Sequence, residues 1–224
     1  MTPRTLTTPS TALRPLAWLA ALVLLLGSAV AQDADPDTLS VRARSGIDVA
    51  TMDPAYYNGN EEFNLDLAIY SKLMRFDEGS GEVVLDAAES VEVSDDGLTI
   101  DFTLREGIEF HHGYGELTAE DVKFSFERIA DPANESPYAS EWSTLDRVEV
   151  LGPYQGRIHL TEVYAPLFTS SIPFTTGSIV SKAAFEDRGE RIATNPVGSG
   201  PYQWASWGPN QAIVLERFDA YYGE

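Results

Sequence analysis

The sequence predicts a mixed α/β (α+β) fold, because strand-period and helix-period stretches alternate along the chain instead of segregating. Two runs carry most of that reading: a period-two stretch at 98–105 and a helical stripe that starts at Thr118. Turn chemistry between apolar runs, at 94–97 and again at 152–156, supplies the third observation.

In chain order, Leu39, Val41 and Ala43 alternate with Ser40 and Arg42, which suits a strand buried on one face. Residues 48–60 hold Pro54, Gly59 and two asparagines and read as a loop. After Glu61, the residues Phe63, Leu67, Tyr70 and Met74 recur at i, i+4, i+7 and i+11, predicting an amphipathic helix. Ser94-Asp95-Asp96-Gly97 is a turn, because Asp bonds its own backbone and Gly accepts a positive φ. Beyond it Leu98, Ile100, Phe102 and Leu104 alternate with polar residues, so 89–105 is a hairpin with one buried face. Thr118 is an N-cap, Glu120 and Asp121 suit the positive end of the helix dipole, and Val122, Phe126 and Ile129 form the stripe. A polar connection at 131–143 carries Tyr138 and Trp142. A second hairpin is expected from 148–150 and 158–160 around Gly152-Pro153, then a short helix at 181–188 and a last strand at 212–217. No internal repeat, heptad or low-complexity tract is present in the sequence.

The 224 residues carry 15 Lys+Arg against 35 Asp+Glu, a formal net charge of -20. Such a chain repels polyanions, so nucleic acid and anionic membrane surfaces are excluded as expected partners. The absence of cysteine excludes disulfides, thiol nucleophiles, Cys-bound zinc and a lipid-modified Cys. The first thirty-one residues have the layout of a secretory signal peptide: Arg4 and Arg14 without acids, an apolar run at 16–26, and Ala29-Val30-Ala31 as the cleavage site. That apolar run is too short for the ~20 residues that span a bilayer, so the expectation is cleavage after Ala31 and an exported, periplasmic chain that does not span the membrane.

Chemical motifs are few. There is no P-loop and no nucleophile elbow, and no cofactor is expected. In Gly198-Ser199-Gly200-Pro201 the proline lacks the N–H that a phosphate loop would donate, which leaves a tight structural turn. His111-His112 reads as a turn or hairpin pair, since neighbours on a strand point to opposite faces. Tyr56-Tyr57-Asn58 with Glu61-Glu62 follows a strand and leads into a helix, the position of ligand crevices in open α/β sheets. The rings there can stack on a ligand, and Asn58 and Glu62 can bond its amides or amine; the same residues also suit a Tyr-rich loop packed on the surface.

Six stretches in order resemble the family-5 extracellular solute-binding proteins, the oligopeptide/dipeptide/nickel class of ABC importers. They are Thr51-Met52-Asp53-Pro54-Ala55, then Ala88-Glu89-Ser90 through Ser94-Asp95-Asp96-Gly97-Leu98-Thr99, and Thr103-Leu104-Arg105-Glu106-Gly107-Ile108-Glu109-Phe110-His111. Leu117-Thr118-Ala119-Glu120-Asp121-Val122-Lys123-Phe124-Ser125, Asn195-Pro196-Val197-Gly198-Ser199-Gly200-Pro201-Tyr202 and Asp219-Ala220-Tyr221-Tyr222-Gly223 complete the set. Val91 stands where the family has an aromatic, and the 112–116 link is one residue longer.

The resemblance implies a periplasmic binding protein-like fold, first lobe only, with an extra subdomain and the second lobe absent. On it, 32–62 start the first lobe and carry the ligand loop, 63–174 are the extra subdomain, and 175–224 return to the first lobe and stop before the crossing. It also implies a monomeric substrate-binding component without catalytic residues, capturing a peptide or related small solute for ABC transporter permease subunits. Ligand contacts carried over are Tyr57, Asn58 and Glu62 from the loop, with Tyr138 and Trp142 from the subdomain. A nickel or metal-chelate binder of the same class, an exported sensor or adhesion module, and a secreted carboxylate-based hydrolase are the alternatives.

Overall fold

The computed structural model describes residues 37–41, 49–77, 79–208 and 212–223; the expected signal peptide lies outside them, as do Arg42 and Ala43 of the first strand. In chain order the elements are β1 (Thr38–Val41), α1 (Asn60–Ile69), β2 (Met74–Phe76), β3 (Val83–Leu85), β4 (Ala88–Val93) and β5 (Thr99–Leu104). There follow α2 (Ala119–Ala130), β6 (Leu145–Gly152), β7 (Gln155–Leu160), α3 (Lys182–Arg188), β8 (Tyr202–Trp207) and β9 (Ile213–Arg217). They build an antiparallel four-stranded sheet in the order β4-β5-β7-β6, a three-stranded sheet β1-β9-β8 and the hairpin β2-β3.

The four-stranded sheet follows from its alternation. Ile100, Phe102 and Leu104 are buried on one face of β5, and Ile158 and Val148 continue that face across β7 and β6. The opposite face is charged, with Asp101 holding Arg157 through two hydrogen bonds. Onto the apolar face α2 lays Val122, Phe126 and Ile129, all buried. Thr118 sits at the N-cap as expected, and Asp121 adds a reciprocal bond that was not anticipated: the Thr118 backbone N–H donates to its carboxylate at 3.0 Å. Trp142, from the connection after α2, stacks at 4.3 Å on Phe126 and completes this core.

A second core joins α1 to the three-stranded sheet through Met52, Tyr57, Leu65, Ile69, Trp204 and Leu215. Here the expected phase of α1 is corrected. The predicted stripe was Phe63, Leu67, Tyr70 and Met74, but Leu67 is 55% exposed and the helix ends at Ile69 before the last two. The buried face is Glu62, Leu65, Asp66 and Ile69. Two acids sit on it because each has partners. Glu62 accepts the Ala50 N–H at 2.8 Å; Asp66 accepts from Lys72 Nζ at 2.7 Å and from the Ser178 hydroxyl at 2.7 Å. In β1, Leu39 is 39% exposed and Val41 half-buried, so the one-sided burial expected there is weak on this edge strand. Strands β2, β3 and β8 were not anticipated.

His111 lies in a short turn and is fully buried. Its Nδ1 accepts the Gly198 N–H at 3.3 Å, so Nε2 carries the proton and donates to the Gly200 carbonyl at 2.9 Å. Gly200 N–H in turn donates to the Ile69 carbonyl at 2.9 Å, capping α1. Burial lowers the imidazole to about 4 from its ordinary 6.5, against the opposing pull of the Gly200 hydrogen bond. Folded His111 thus binds a proton less readily than unfolded His111. Its contribution to stability is complete above pH ~6.5 and is lost toward pH ~4, by up to ~3 kcal/mol. In urea titrations the advantage of the wild type over His111→Gln should therefore shrink from pH 7 to pH 4. A constant difference would reject this assignment.

Candidate functional site

Residues 49–59, ahead of α1, form an irregular segment held by several side chains. Asp53 begins a short 3-10 turn at Pro54–Tyr56 by accepting the Ala55 N–H, while Pro54 supplies a backbone angle already suited to it. The same carboxylate takes both Arg128 terminal nitrogens, at 2.6 and 2.7 Å. Tyr70 donates its hydroxyl to the Met52 carbonyl at 2.8 Å, Ser136 to Ala55 at 2.7 Å and Tyr138 to Tyr57 at 2.6 Å. Glu62 holds the entry of the loop at Ala50. A segment tied from this many sides has little freedom left to lose when something binds to it.

The five residues expected at the site fall into different positions. Asn58 is exposed at the tip of the loop. Tyr57 is 1% exposed, its hydroxyl directed at the Met52 carbonyl 3.4 Å away. Burial, with the negative charge of Asp66 next, pushes that hydroxyl well above its ordinary 10, so it stays a neutral donor. Glu62 is buried with one oxygen on Ala50. Tyr138 is half-buried; burial, then the charges of Glu141 and Glu62, raise its hydroxyl too. Trp142 is 1% exposed in the core and its indole N–H has no partner. The loop and α1 therefore bring Tyr57, Asn58 and Glu62 together and Tyr138 reaches them through its hydroxyl, whereas Trp142 packs on Phe126 in the core under the four-stranded sheet and is not brought to them.

Two aromatics not singled out for this site flank it. Phe63 lies 6.0 Å edge-on from Tyr57 and 5.5 Å from Phe174, and Phe174 is exposed. The signal for Phe63 was present, since it directly follows Glu61-Glu62, but it was absorbed into the helical stripe. Phe174 comes from more than a hundred residues further along the chain, and nothing local marks it. Hydrogen-bonding groups beside partly exposed rings can hold a polar organic solute by amide contacts and stacking.

A cavity of about 750 Å3 lies elsewhere, lined by Asp53, Tyr56, Phe124, Arg128 and Phe185 among others; none of the five expected residues lines it. Among the described residues no group of three or more His, Asp or Glu is placed to hold a metal ion, and no helix is long and apolar enough to cross a membrane.

Residues 82–224 match the sequence model of the bacterial extracellular solute-binding proteins, family 5 Middle. The glutathione-binding protein GsiB of Salmonella paratyphi A is 30% identical over 207 residues, covering 92% of this chain and 39% of that protein. Among solved structures, MoaA from A. tumefaciens R10 in complex with mannopinic acid is 34% identical with a TM-score of 0.74, over 78% of this chain and 36% of that one. The ABC transporter-associated periplasmic binding protein DppA from Helicobacter pylori, in complex with the peptide STSA, is 32% identical with a TM-score of 0.72, over 80% and 39%. The chain thus spans little more than a third of the length of these relatives.

Proposed function

Because this chain belongs to the bacterial extracellular solute-binding proteins of family 5, we propose that it supplies one wall of a ligand cleft for a peptide or a related small solute, in an exported receptor that serves an ABC importer. The observation that carries the reading is the clamped loop with Asn58 exposed at its tip beside the Phe63–Phe174 pair. In this reading Asn58 bonds the solute's amides, and Tyr138 and Phe174 form the rim. Tyr57 and Glu62 act from behind, holding the loop in register at Met52 and Ala50. Similarity to proteins named for glutathione and peptide ligands supports a peptide-like solute over a hydrolysable substrate. Handing the ligand to a permease requires that the closed and open receptor differ in affinity for it.

The test is an NMR titration with glutathione, with di- to tetrapeptides and with nickel–histidine. At least one peptide is expected to shift the amides of 57–63 and 174, and Asn58→Ala should weaken that binding severalfold without changing the melting temperature. Shifts caused by nickel–histidine alone would move the assignment to the metal-chelate class. Turnover of a peptide would make the protein an enzyme.

A further inference from the structure

We propose that the cavity between the Thr51–Tyr56 loop, α2 and α3 is a second binding site, for a small aromatic or branched amine that also carries a carbonyl or hydroxyl acceptor. It stands on the cavity alone and does not require the Asn58 rim. At about 750 Å3 the cavity is within the ~300–1,000 Å3 usual for small organic ligands.

Each part of the wall selects one part of that ligand. Phe124 and Phe185 meet edge-to-face at 5.2 Å, and Tyr56 and Ile192 extend the apolar lining. Rings in this arrangement take a flat or branched apolar body. Arg128 is 9% exposed, and its guanidinium lies 4.8 Å from the centre of the Phe185 ring. Its two terminal nitrogens are spent on Asp53, so its charge is already balanced. Its Nε–H is buried without a partner, a donor that a ligand carbonyl or hydroxyl would satisfy.

The rim decides the sign of the ligand's charge. Glu127 is paired with Lys123 at 2.8 Å and also accepts the Val148 N–H. Asp131 caps a turn through Ala133 and has no ion pair among the described residues. Glu190 is exposed and has no partner among the described residues. With Asp53 and Glu127 neutralised, Asp131 and Glu190 leave the opening negative, which attracts an ammonium and repels a carboxylate. An anionic ligand would meet the one lining arginine only after breaking its bidentate pair.

The probe is L-phenylalaninamide, which has the ring, the ammonium and the carbonyl; N-acetyl-L-phenylalanine keeps the ring and carries the opposite charge. In NMR titrations of the protein, phenylalaninamide should give saturable shifts at Phe124, Arg128, Phe185 and Glu190 while leaving Asn58 unmoved. N-acetylphenylalanine should bind severalfold more weakly, and the surface variant Glu190→Gln, which leaves folding intact, should lose severalfold in phenylalaninamide affinity. Phenethylamine, which lacks the acceptor, should also bind more weakly. The proposal is overturned by the absence of saturable shifts at millimolar probe, by equal binding of the acid, or by shifts confined to 57–63 and 174. The last outcome would assign the amine to the Asn58 rim and leave the reading of that rim in place.

Discussion

Replacing Gly198 with alanine is expected to cost about 3 kcal/mol or more and to leave little folded protein at 37 °C. The reason is backbone meeting backbone. An added Cβ would sit 1.9 Å from the Ile69 carbonyl oxygen, at the end of α1, and neither atom is a flexible side-chain tip that can swing away. Relieving the clash would separate 198–200 from α1. That would break the Gly200–Ile69 cap and both His111 ring bonds, which are spaced along the same three residues. Gly152→Ala is the control, because nothing stands within 4 Å of its Cβ position; its cost should stay within ~1 kcal/mol. Urea midpoints of the two variants compare them directly. A Gly198 variant as stable as the Gly152 one would show that the contact with α1 gives way.

Lys72→Met is expected to cost ~3–5 kcal/mol, the usual consequence of stranding one charge of a buried pair. Lys72 is 2% exposed and Asp66 fully buried, and they meet at 2.7 Å. Without the ammonium, Asp66 keeps the Ser178 hydroxyl and loses its counter-charge. Lys72→Met/Asp66→Leu removes both charges and should recover most of the loss, because the pair's attraction only offsets the desolvation of its members. A residual deficit of ~1–3 kcal/mol is expected from the Ser178 hydroxyl left without an acceptor. If the single variant costs under ~1 kcal/mol, or the double variant recovers nothing, the pair is better hydrated than its geometry implies.

What could be read from the sequence was what local periodicity determines. The hairpin of β4 and β5, the capped α2 and the β6–β7 hairpin each have a buried face spaced by a single repeat, with turn or cap residues beside it. The phase of α1 was illegible because its buried face includes Glu62 and Asp66. Their acceptability depends on Ala50, Lys72 and Ser178, which only the folded chain brings near. Strand β8 escaped for a related reason: of its aromatics only Trp204 is buried, so no apolar alternation marks it. At the candidate site the loop itself was legible from Asp53-Pro54 and the tyrosines beyond it. Which rings face outward was not. Trp142 and Tyr57 look as available as Phe174 on paper, yet the first two are core and the third is exposed, because burial is decided by α2 and α1 packing across them.

Strand β1 finds its ladder partner only in β9, near the far end of the described chain. During synthesis at ~5–20 residues per second, β1 therefore waits on the order of ten seconds before the strand that pairs with it exists. The four-stranded sheet and α2 can assemble from nearer neighbours, but the three-stranded sheet cannot close until β9 has been made. In this sheet β9 thus determines when β1 becomes ordered.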